Sequence, residues 1–326
     1  MKILITGAGA LLGQGIFESL QNCNIRSRLI IGLADPSQTS AALYWGDFAH
    51  IIPFASSPDY IDALISIIKL KGYQLLIPGT DIELPILSAN KNRIESSTGC
   101  HVVVSDPNVI EIANDKYKTF EFLQAHSLNP PRSWLPESFD LSSESVKFPL
   151  IVKPRDGARS IGLYQVNSLI ELKECLNRSK RPVIQECIGT SSEEYTSGSI
   201  TLAGKSLGAI TLRRELKDGN TYKASVENNK FFDEFIIRAS QLLQPLGPCN
   251  FQFRIDESGL PRIFEINARF SGTTLMRSTA GFSEVVWVVE YFESGKIPSI
   301  PGDFLDLIFL RHWSMTTLDK SQLISS

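Results

Sequence analysis

A segment in the last third of the chain alternates apolar and polar residues in the manner of two half-buried strands joined by a loop. If residues 257–260 form the loop, Gln252 lies opposite Glu265 and Asn250 lies opposite Asn267 on one polar face. A carboxylate with amide oxygens is a ligand set that Mg²⁺ accepts beside the phosphate oxygens of a nucleotide. The hairpin therefore predicts a magnesium–nucleotide site, and the alternative is a hairpin whose polar face is merely solvated.

A cation completes this polar face. Arg269 follows Glu265 and Asn267 at the spacing of one strand face, so its guanidinium could meet negative charge that develops on a phosphoryl group.

Composition narrows the functional classes. The chain has 326 residues, of which 43% are hydrophobic and 21% charged, as is typical of a soluble enzyme with two or three compact units. A net charge of −3 without Lys or Arg blocks argues against a nucleic-acid or membrane surface. The 5 scattered cysteines contain no CxxC pair, which predicts reduced thiols and a cytoplasmic location. No run approaches the roughly 20 apolar residues that span a bilayer.

The N-terminus has the strand, glycine turn and helix of a dinucleotide-binding unit. Its spacing from Gly7 to Gly15 is GxGxxxGxG, which differs from GxGxxG, and Asp35 ends the second predicted strand where a ribose-binding acid would lie. Two interpretations stay open. The turn could bind NAD(P) in an oxidoreductase or sensor, or its glycines could let the first helix pack tightly and point its N-terminus at some anion.

Strands and helices alternate as far as Val104, which predicts a parallel sheet with helices on both faces. The loop at 78–83 follows the carboxyl end of a strand, where such sheets place ligands. Asp81 and Glu83 could bind a substrate ammonium there, although an Asp at this position also caps helices.

Positive charge recurs in the middle of the chain. Lys116 lies in the first turn of a predicted helix, where a cation opposes the macrodipole, so a role outside the helix is indicated. Lys153 ends a predicted strand. The loop from Arg155 to Gly162 could turn N–H groups and arginines toward phosphates, or it could be a mobile hairpin turn.

These motifs occur in an order that resembles ATP-grasp enzymes, and most of all the single-unit relatives of the carbamoyl phosphate synthetase large subunit. The resemblance covers roughly residues 110–275 and depends on the order of the motifs, since each motif alone is weak. The segments that carry it are Asp115-Lys116, Phe148-Pro149 with Val152-Lys153-Pro154, the loop through Gly162, Gln185-Glu186-Cys187-Ile188-Gly189, Glu194-Tyr195, Asn250-Phe251-Gln252 and Glu265-Ile266-Asn267-Ala268-Arg269.

The resemblance implies site residues. The two lysines would contact the ATP phosphates, the segment after Gln185 the adenine, and Glu194 the ribose, while relatives often carry an acid where this chain has Gly198. The implied nucleotide-binding residues are Lys116, Lys153, Arg155, Gly157, Ser160, Gly162, Glu186, Cys187, Ile188, Glu194 and Gln252, and the implied metal ligands are Gln252, Glu265 and Asn267.

The activity implied is that of an ATP-dependent ligase. A substrate carboxylate would attack the γ-phosphate to give an acyl phosphate and ADP, and an amine or other nucleophile would displace phosphate. Arg269 is one candidate catalytic residue. Arg213 and Arg214 are the others, because they could grip the carboxylate, although a solvated strand edge explains that pair as well. ATP and Mg²⁺, for which Mn²⁺ could substitute, are expected with small-molecule carboxylate and amine partners, and the chain could form a homodimer.

The expected architecture combines α/β and α+β units. A Rossmann-like pre-ATP-grasp domain with a parallel sheet occupies 1–112, and an ATP-grasp fold follows it. A small lid subdomain with connecting helices occupies 113–190. A C-terminal subdomain at 191–326 carries an antiparallel metal-binding sheet and the C-terminal helices.

Overall fold

The computed structural model describes residues 1–140, 147–157, 161–190 and 193–324. The strands are β1 (Lys2–Ile5), β2 (Ile30–Asp35), β3 (Phe48–Ile51), β4 (Leu75–Ile77), β5 (His101–Val102), β6 (Ser133–Trp134), β7 (Leu150–Pro154), β8 (Tyr164–Val166), β9 (Pro182–Glu186), β10 (Glu194–Leu202), β11 (Lys205–Lys217), β12 (Asn220–Val226), β13 (Gly247–Ile255), β14 (Pro261–Asn267) and β15 (Ile308–Leu310). The helices are α1 (Leu11–Gln21), α2 (Tyr60–Lys71), α3 (Leu84–Thr98), α4 (Pro107–Asn114), α5 (Lys116–Ala125), α6 (Leu169–Arg178), α7 (Lys230–Leu243), α8 (Thr274–Thr279) and α9 (Glu284–Ser294).

The N-terminal sheet is parallel, with the strand order β3-β2-β1-β4-β5, which confirms the sequence prediction. Side chains of the protein itself occupy the space beside its glycine turn. The Asp35 carboxylate accepts the Gly9 N–H at 2.8 Å and the Ser40 hydroxyl at 2.6 Å. A Cβ on Gly13 would lie 2.4 Å from the Gly7 carbonyl oxygen. This geometry favours tight packing of α1 over dinucleotide binding as the reason for the glycines.

The central sheet has the order β14-β13-β10-β11-β12-β15, and its strand pairs are antiparallel. Gln252 pairs with Glu265 and Asn250 with Asn267, as the alternation predicted. The register shifts just beyond Gln252, which leaves Phe264 as an extra residue in β14. This bulge lets Phe264 accompany Glu265 on the polar face, because a bulged residue escapes strict alternation.

The lid is a four-stranded sheet with the order β6-β9-β7-β8. Its small core joins β7, β8 and β9 to α6 through Leu150, Val152, Val166, Leu172 and Ile184. Helices α4 and α5 pack against β14 of the central sheet, although α5 lies in the range that was expected with the lid. A parallel N-terminal sheet followed by antiparallel sheets confirms the predicted fold class. In the described ranges, no helix is long and apolar enough to cross a membrane.

A buried ion pair contacts strand β13 of the central sheet. Arg277 and Glu284 are both fully buried, with Nη2 2.6 Å from Oε1. Arg277 Nη1 also donates to Asn250 Oδ1 at 3.1 Å. Gly198 provides the space, since a Cβ there would lie 2.4 Å from Nε and 2.5 Å from Cζ of Arg277. Arg277 therefore occupies the volume that a side chain at position 198 would need.

Adding one methyl group at this position should destabilise the protein. We expect Gly198→Ala to lower the free energy of unfolding by about 1–3 kcal/mol, because overpacking would displace a buried guanidinium. Gly302→Ala is the matched control, since a Cβ there meets nothing within 4 Å. Urea unfolding of the two variants measures the difference. Equal stability would contradict the tight packing of Gly198 on Arg277.

Candidate nucleotide site

Three adjoining pockets meet at Glu265. The lid pocket, of about 210 Å³, lies between the lid and the central sheet and includes Lys153 and Ile188. The side pocket, of about 300 Å³, lies beside α4. The inter-domain pocket, of about 400 Å³, lies between the central sheet and the first turn of α1. The apolar residues that line the lid pocket are Pro131, Ile151, Pro154, Ile161, Leu163, Ile188, Leu216 and Phe264.

Lys153 lies buried at the wall of the lid pocket. Its Nζ donates to Gln185 Oε1 at 2.8 Å and to the Phe264 carbonyl oxygen at 3.3 Å. Burial lowers its pKa to about 7, while nearby Glu265 raises that pKa and Lys116 lowers it. The site thus holds an amine that a bound anion would help to protonate.

Glu194 is buried between two arginines at the other side of the lid pocket. Its Oε1 lies 2.7 Å from Arg214 Nη2 and its Oε2 lies 2.8 Å from Arg254 Nη2. Burial alone would raise its pKa, but the two guanidinium groups outweigh burial and hold the pKa below its usual range. Glu194 is therefore a fixed carboxylate within the pocket.

Glu186 also lines the lid pocket, where Arg132 and Arg262 pair with its carboxylate at 3.3 Å and 3.2 Å. Half-buried Cys187 follows Glu186, and Ile188 contributes to the apolar wall.

The loop that follows β7 is held to the first residue of α5 at Gly157. Lys116 Nζ donates to the Gly157 carbonyl oxygen at 2.9 Å, and both residues line the lid pocket. Gly157 and Gly162 have positive φ angles of 107° and 75°, which favour glycine. Ser160 lies outside the described residues.

Two arginines do not take the predicted places. Arg155 pairs with Asp115, the N-cap of α5, at 2.6 Å and does not line the lid pocket, so it fastens the loop to a helix. Arg213 is exposed on the opposite face of β11 from Arg214, across from Tyr195, whose ring contacts α7. The prediction that both β11 arginines share one site is corrected for Arg213, because successive strand residues point to opposite faces.

The predicted metal ligands converge. Glu265 Oε1 accepts hydrogen bonds from Gln252 Nε2 and from Asn267 Nδ2, both at 3.1 Å. The amide oxygens face arginines instead, since Gln252 Oε1 accepts from Arg214 at 2.7 Å and Asn267 Oδ1 accepts from Arg269 at 3.1 Å. One carboxylate with two amides fits a divalent cation whose remaining ligands are phosphate oxygens once both amides turn their oxygens toward the cation. Among the described residues, no cluster of three or more His, Cys, Asp or Glu side chains could hold a metal ion by itself.

Arg269 is held beside Asn267 by a residue of the N-terminal domain. Its Nε lies 2.6 Å from Asp81 Oδ1 and its Nη2 lies 3.1 Å from Asp81 Oδ2. The same Nη2 lies 3.1 Å from Asn267 Oδ1. Glu83, the other acid of that loop, is buried and bonded to Tyr60 and Thr80. Asp81 thus holds Arg269 in this arrangement, and Glu83 holds the loop itself.

Several partners in the site escaped the sequence reasoning. Gln185 orients Lys153, Arg254 pairs with Glu194, and Arg262 pairs with Glu186. Arg254 shares the strand face of Gln252, so strand alternation alone could have indicated Arg254 as a site residue.

Two family models match the chain. Residues 190–305 match "ATP-grasp in the biosynthetic pathway with Ter operon", and residues 3–103 match "PylC-like, N-terminal domain". The match of residues 190–305 to an ATP-grasp model agrees with the family that the motif order predicted, and the N-terminal match is to a PylC-like domain. The finer resemblance to the carbamoyl phosphate synthetase large subunit stays a prediction.

A curated relative also matches part of the chain. A D-alanine–D-alanine ligase of Fusobacterium nucleatum is 33% identical over 101 residues, which are 31% of this chain and 32% of that protein. The matched regions span between 32% and 56% of the length of the curated relatives.

Two solved structures share the fold. The L-amino acid ligase from Bacillus licheniformis superposes with a TM-score of 0.67 at 16% identity, covering 91% of this chain and 77% of the other. The N5-carboxyaminoimidazole synthetase from Staphylococcus aureus, complexed with ADP, gives a TM-score of 0.70 at 16% identity, covering 95% and 81%.

Nucleotide binding should take up a proton through Lys153. At pH 8 most of its amine is neutral when the pKa is about 7, and a phosphate nearby would raise that pKa. We expect about one proton to be taken up per ADP bound at pH 8 and far less at pH 6, so ADP affinity falls as pH rises above 7. Calorimetry in buffers of different ionisation enthalpy measures this uptake.

The uptake should disappear in Lys153→Met and persist in Lys91→Met, whose amine bonds the Val104 carbonyl oxygen away from the three pockets. The same uptake in Lys153→Met would assign the proton to another group.

Proposed function

We propose that the protein is an ATP-dependent carboxylate–amine (or carboxylate–nucleophile) ligase that forms an acyl phosphate and releases ADP. The observation that supports this most is the meeting of three groups where the lid and inter-domain pockets join. Lys153 supplies a buried amine, Glu265 and Asn267 supply metal ligands, and Arg269 supplies a fixed guanidinium. ATP occupies the lid pocket, and the acid occupies the inter-domain pocket.

The residues of the lid pocket position the nucleotide. Ile188 and the neighbouring apolar side chains hold the adenine, and Glu194 accepts the ribose hydroxyls. Lys116 and Lys153 contact the phosphates, while Glu265, Asn267 and Gln252 hold the metal ion. A Mg²⁺ ion held by these side chains would supply positive charge beside the phosphates.

The inter-domain pocket presents the acid for attack. Arg214 lines both pockets, so its guanidinium can orient the substrate carboxylate toward the γ-phosphate. The carboxylate oxygen forms a bond to phosphorus as the bond to the ADP oxygen breaks, and Arg269 stabilises the charge on the transferring group. A nucleophile such as an amine then attacks the acyl carbon and releases phosphate. Assembly as a homodimer and a cytoplasmic location remain predictions from the sequence.

Release of ADP tests the proposal across many candidate substrates at once. The purified protein is incubated with Mg-ATP and a panel of carboxylates, each with a panel of amines and with hydroxylamine, which captures an acyl phosphate as a hydroxamate. We expect ADP release to require a carboxylate and a hydroxamate to accumulate with the same acid. ADP release that no carboxylate stimulates would contradict a ligase.

Arg269 should act mainly in the chemical step. Arg269→Lys retains the charge but loses the planar fork held by Asp81, so we expect kcat to fall about 100-fold while the KM for ATP changes far less. Arg28→Lys, in a surface ion pair with Glu290 and Glu293, is the control and should keep wild-type kinetics. A raised KM for ATP with unchanged kcat would make Arg269 a ground-state phosphate ligand instead.

A further inference from the structure

The inter-domain pocket has two chemically different ends. Arg214, Gln252 and Glu265 line both this pocket and the lid pocket, so they mark the end beside the nucleotide. The residues that line this pocket and not the lid pocket include Ala10, Leu11, Leu12, Asn250, Ser271 and Thr273, which form the far end. Asp81 also lines the pocket, where its carboxylate pairs with Arg269. A substrate whose carboxylate reacts at the first end must place another group at the far end.

The first turn of α1 opens into the far end. Helix α1 has 11 residues, and the Ala10 side chain at its N-cap makes no capping hydrogen bond. The first turn also contains no acidic residue. Its N–H groups therefore direct the positive end of the helix dipole at the pocket, and the Asp35 carboxylate beside this turn is occupied by the Gly9 N–H and the Ser40 hydroxyl.

Asn250 points donors into the same space. It is 1% exposed, and its Oδ1 accepts hydrogen bonds from Thr196 Oγ1 at 2.9 Å and Arg277 Nη1 at 3.1 Å. Because a guanidinium only donates, Arg277 determines which way the amide faces. The Nδ2 donors make no hydrogen bond to any residue that the structure describes. A buried amide of this kind gains a hydrogen bond when an acceptor enters the pocket.

Thr273 is a second polar side chain at this end of the pocket. Its Oγ1 lies 2.7 Å from Arg277 Nη1 and 2.8 Å from Ser271 Oγ, and either hydroxyl can be the donor in the second contact. When Ser271 donates to Thr273, the Thr273 hydroxyl proton can turn to an acceptor in the pocket.

We propose that the far end of the inter-domain pocket is an oxyanion subsite. It is formed by the first turn of α1, Asn250 Nδ2 and the Thr273 hydroxyl, and Arg277 orients the two side chains from behind. The subsite takes a carboxylate or phosphate group of the substrate that does not react. This assignment rests on the proposed ligase function and narrows its substrate to acids that carry a second anionic group.

Amide NMR of ¹⁵N-labelled protein tests the subsite directly. Succinate, inorganic phosphate and acetate are titrated into the free and the ADP-saturated protein. We expect succinate or phosphate to shift the backbone amides of Leu11 and Leu12 and the Asn250 side-chain amide. A stronger response to succinate identifies a dicarboxylate substrate, and a stronger response to phosphate identifies a phosphorylated one. Absence of shifts at these amides with both anions would overturn the proposal.

Two variants separate the subsite from general anion effects. Asn250→Asp replaces donors by a negative charge, and Thr273→Val removes the hydroxyl, so each should weaken the anion at least about tenfold. Asn90→Asp is the control, because Asn90 Nδ2 bonds the Ile86 carbonyl oxygen within α3. Unchanged anion affinity in both Asn250→Asp and Thr273→Val would overturn the proposal.

The same samples distinguish failure of the subsite from failure of the ligase function. ADP should shift amides of the lid pocket, such as Ile188, independently of any added anion. Loss of that response would contradict nucleotide binding, while the anion titration of the free protein would still decide the subsite.

Discussion

The pairing of β13 with β14 is the constraint on which the rest of the site depends. It brings a carboxylate and two amides together on one face, and a slip by one residue would turn all three toward the apolar core. The bulge at Phe264 keeps this register while the Phe264 carbonyl oxygen accepts a hydrogen bond from Lys153. A local departure from strict alternation in β14 thus allows the lid to bond the central sheet beside the lid pocket.

Two ion pairs connect this hairpin to the remainder of the molecule. Arg269 pairs with Asp81, so this part of the site is built from both the N-terminal domain and the central sheet. Arg277 pairs with Glu284 and orients Asn250. Removing either partner of the fully buried Arg277–Glu284 pair would leave an uncompensated charge, so this pair helps to fix the position of Asn250.

The sequence predicted features whose cause is local. Strand alternation set the hairpin register, and alternating elements predicted the parallel sheet. The sequence did not predict the side chains whose positions depend on distant contacts. Asp81 and Arg269 are 188 positions apart in the chain, and Arg155 and Asp115 are 40 positions apart. Applying alternation to β11 would have separated Arg213 from Arg214. Strand β12 lies between β11 and β15 and mixes exposed with buried positions without strict alternation, and no strand was predicted there.

The central claim is that the hairpin holds the metal ion of a bound nucleotide, and electron paramagnetic resonance of Mn²⁺ measures this most directly. The account predicts a bound Mn²⁺ signal that requires ADP, is lost in Glu265→Gln, and persists in Glu234→Gln, an exposed position on α7. A bound signal of equal intensity in Glu265→Gln, or one that does not depend on ADP, would contradict the account.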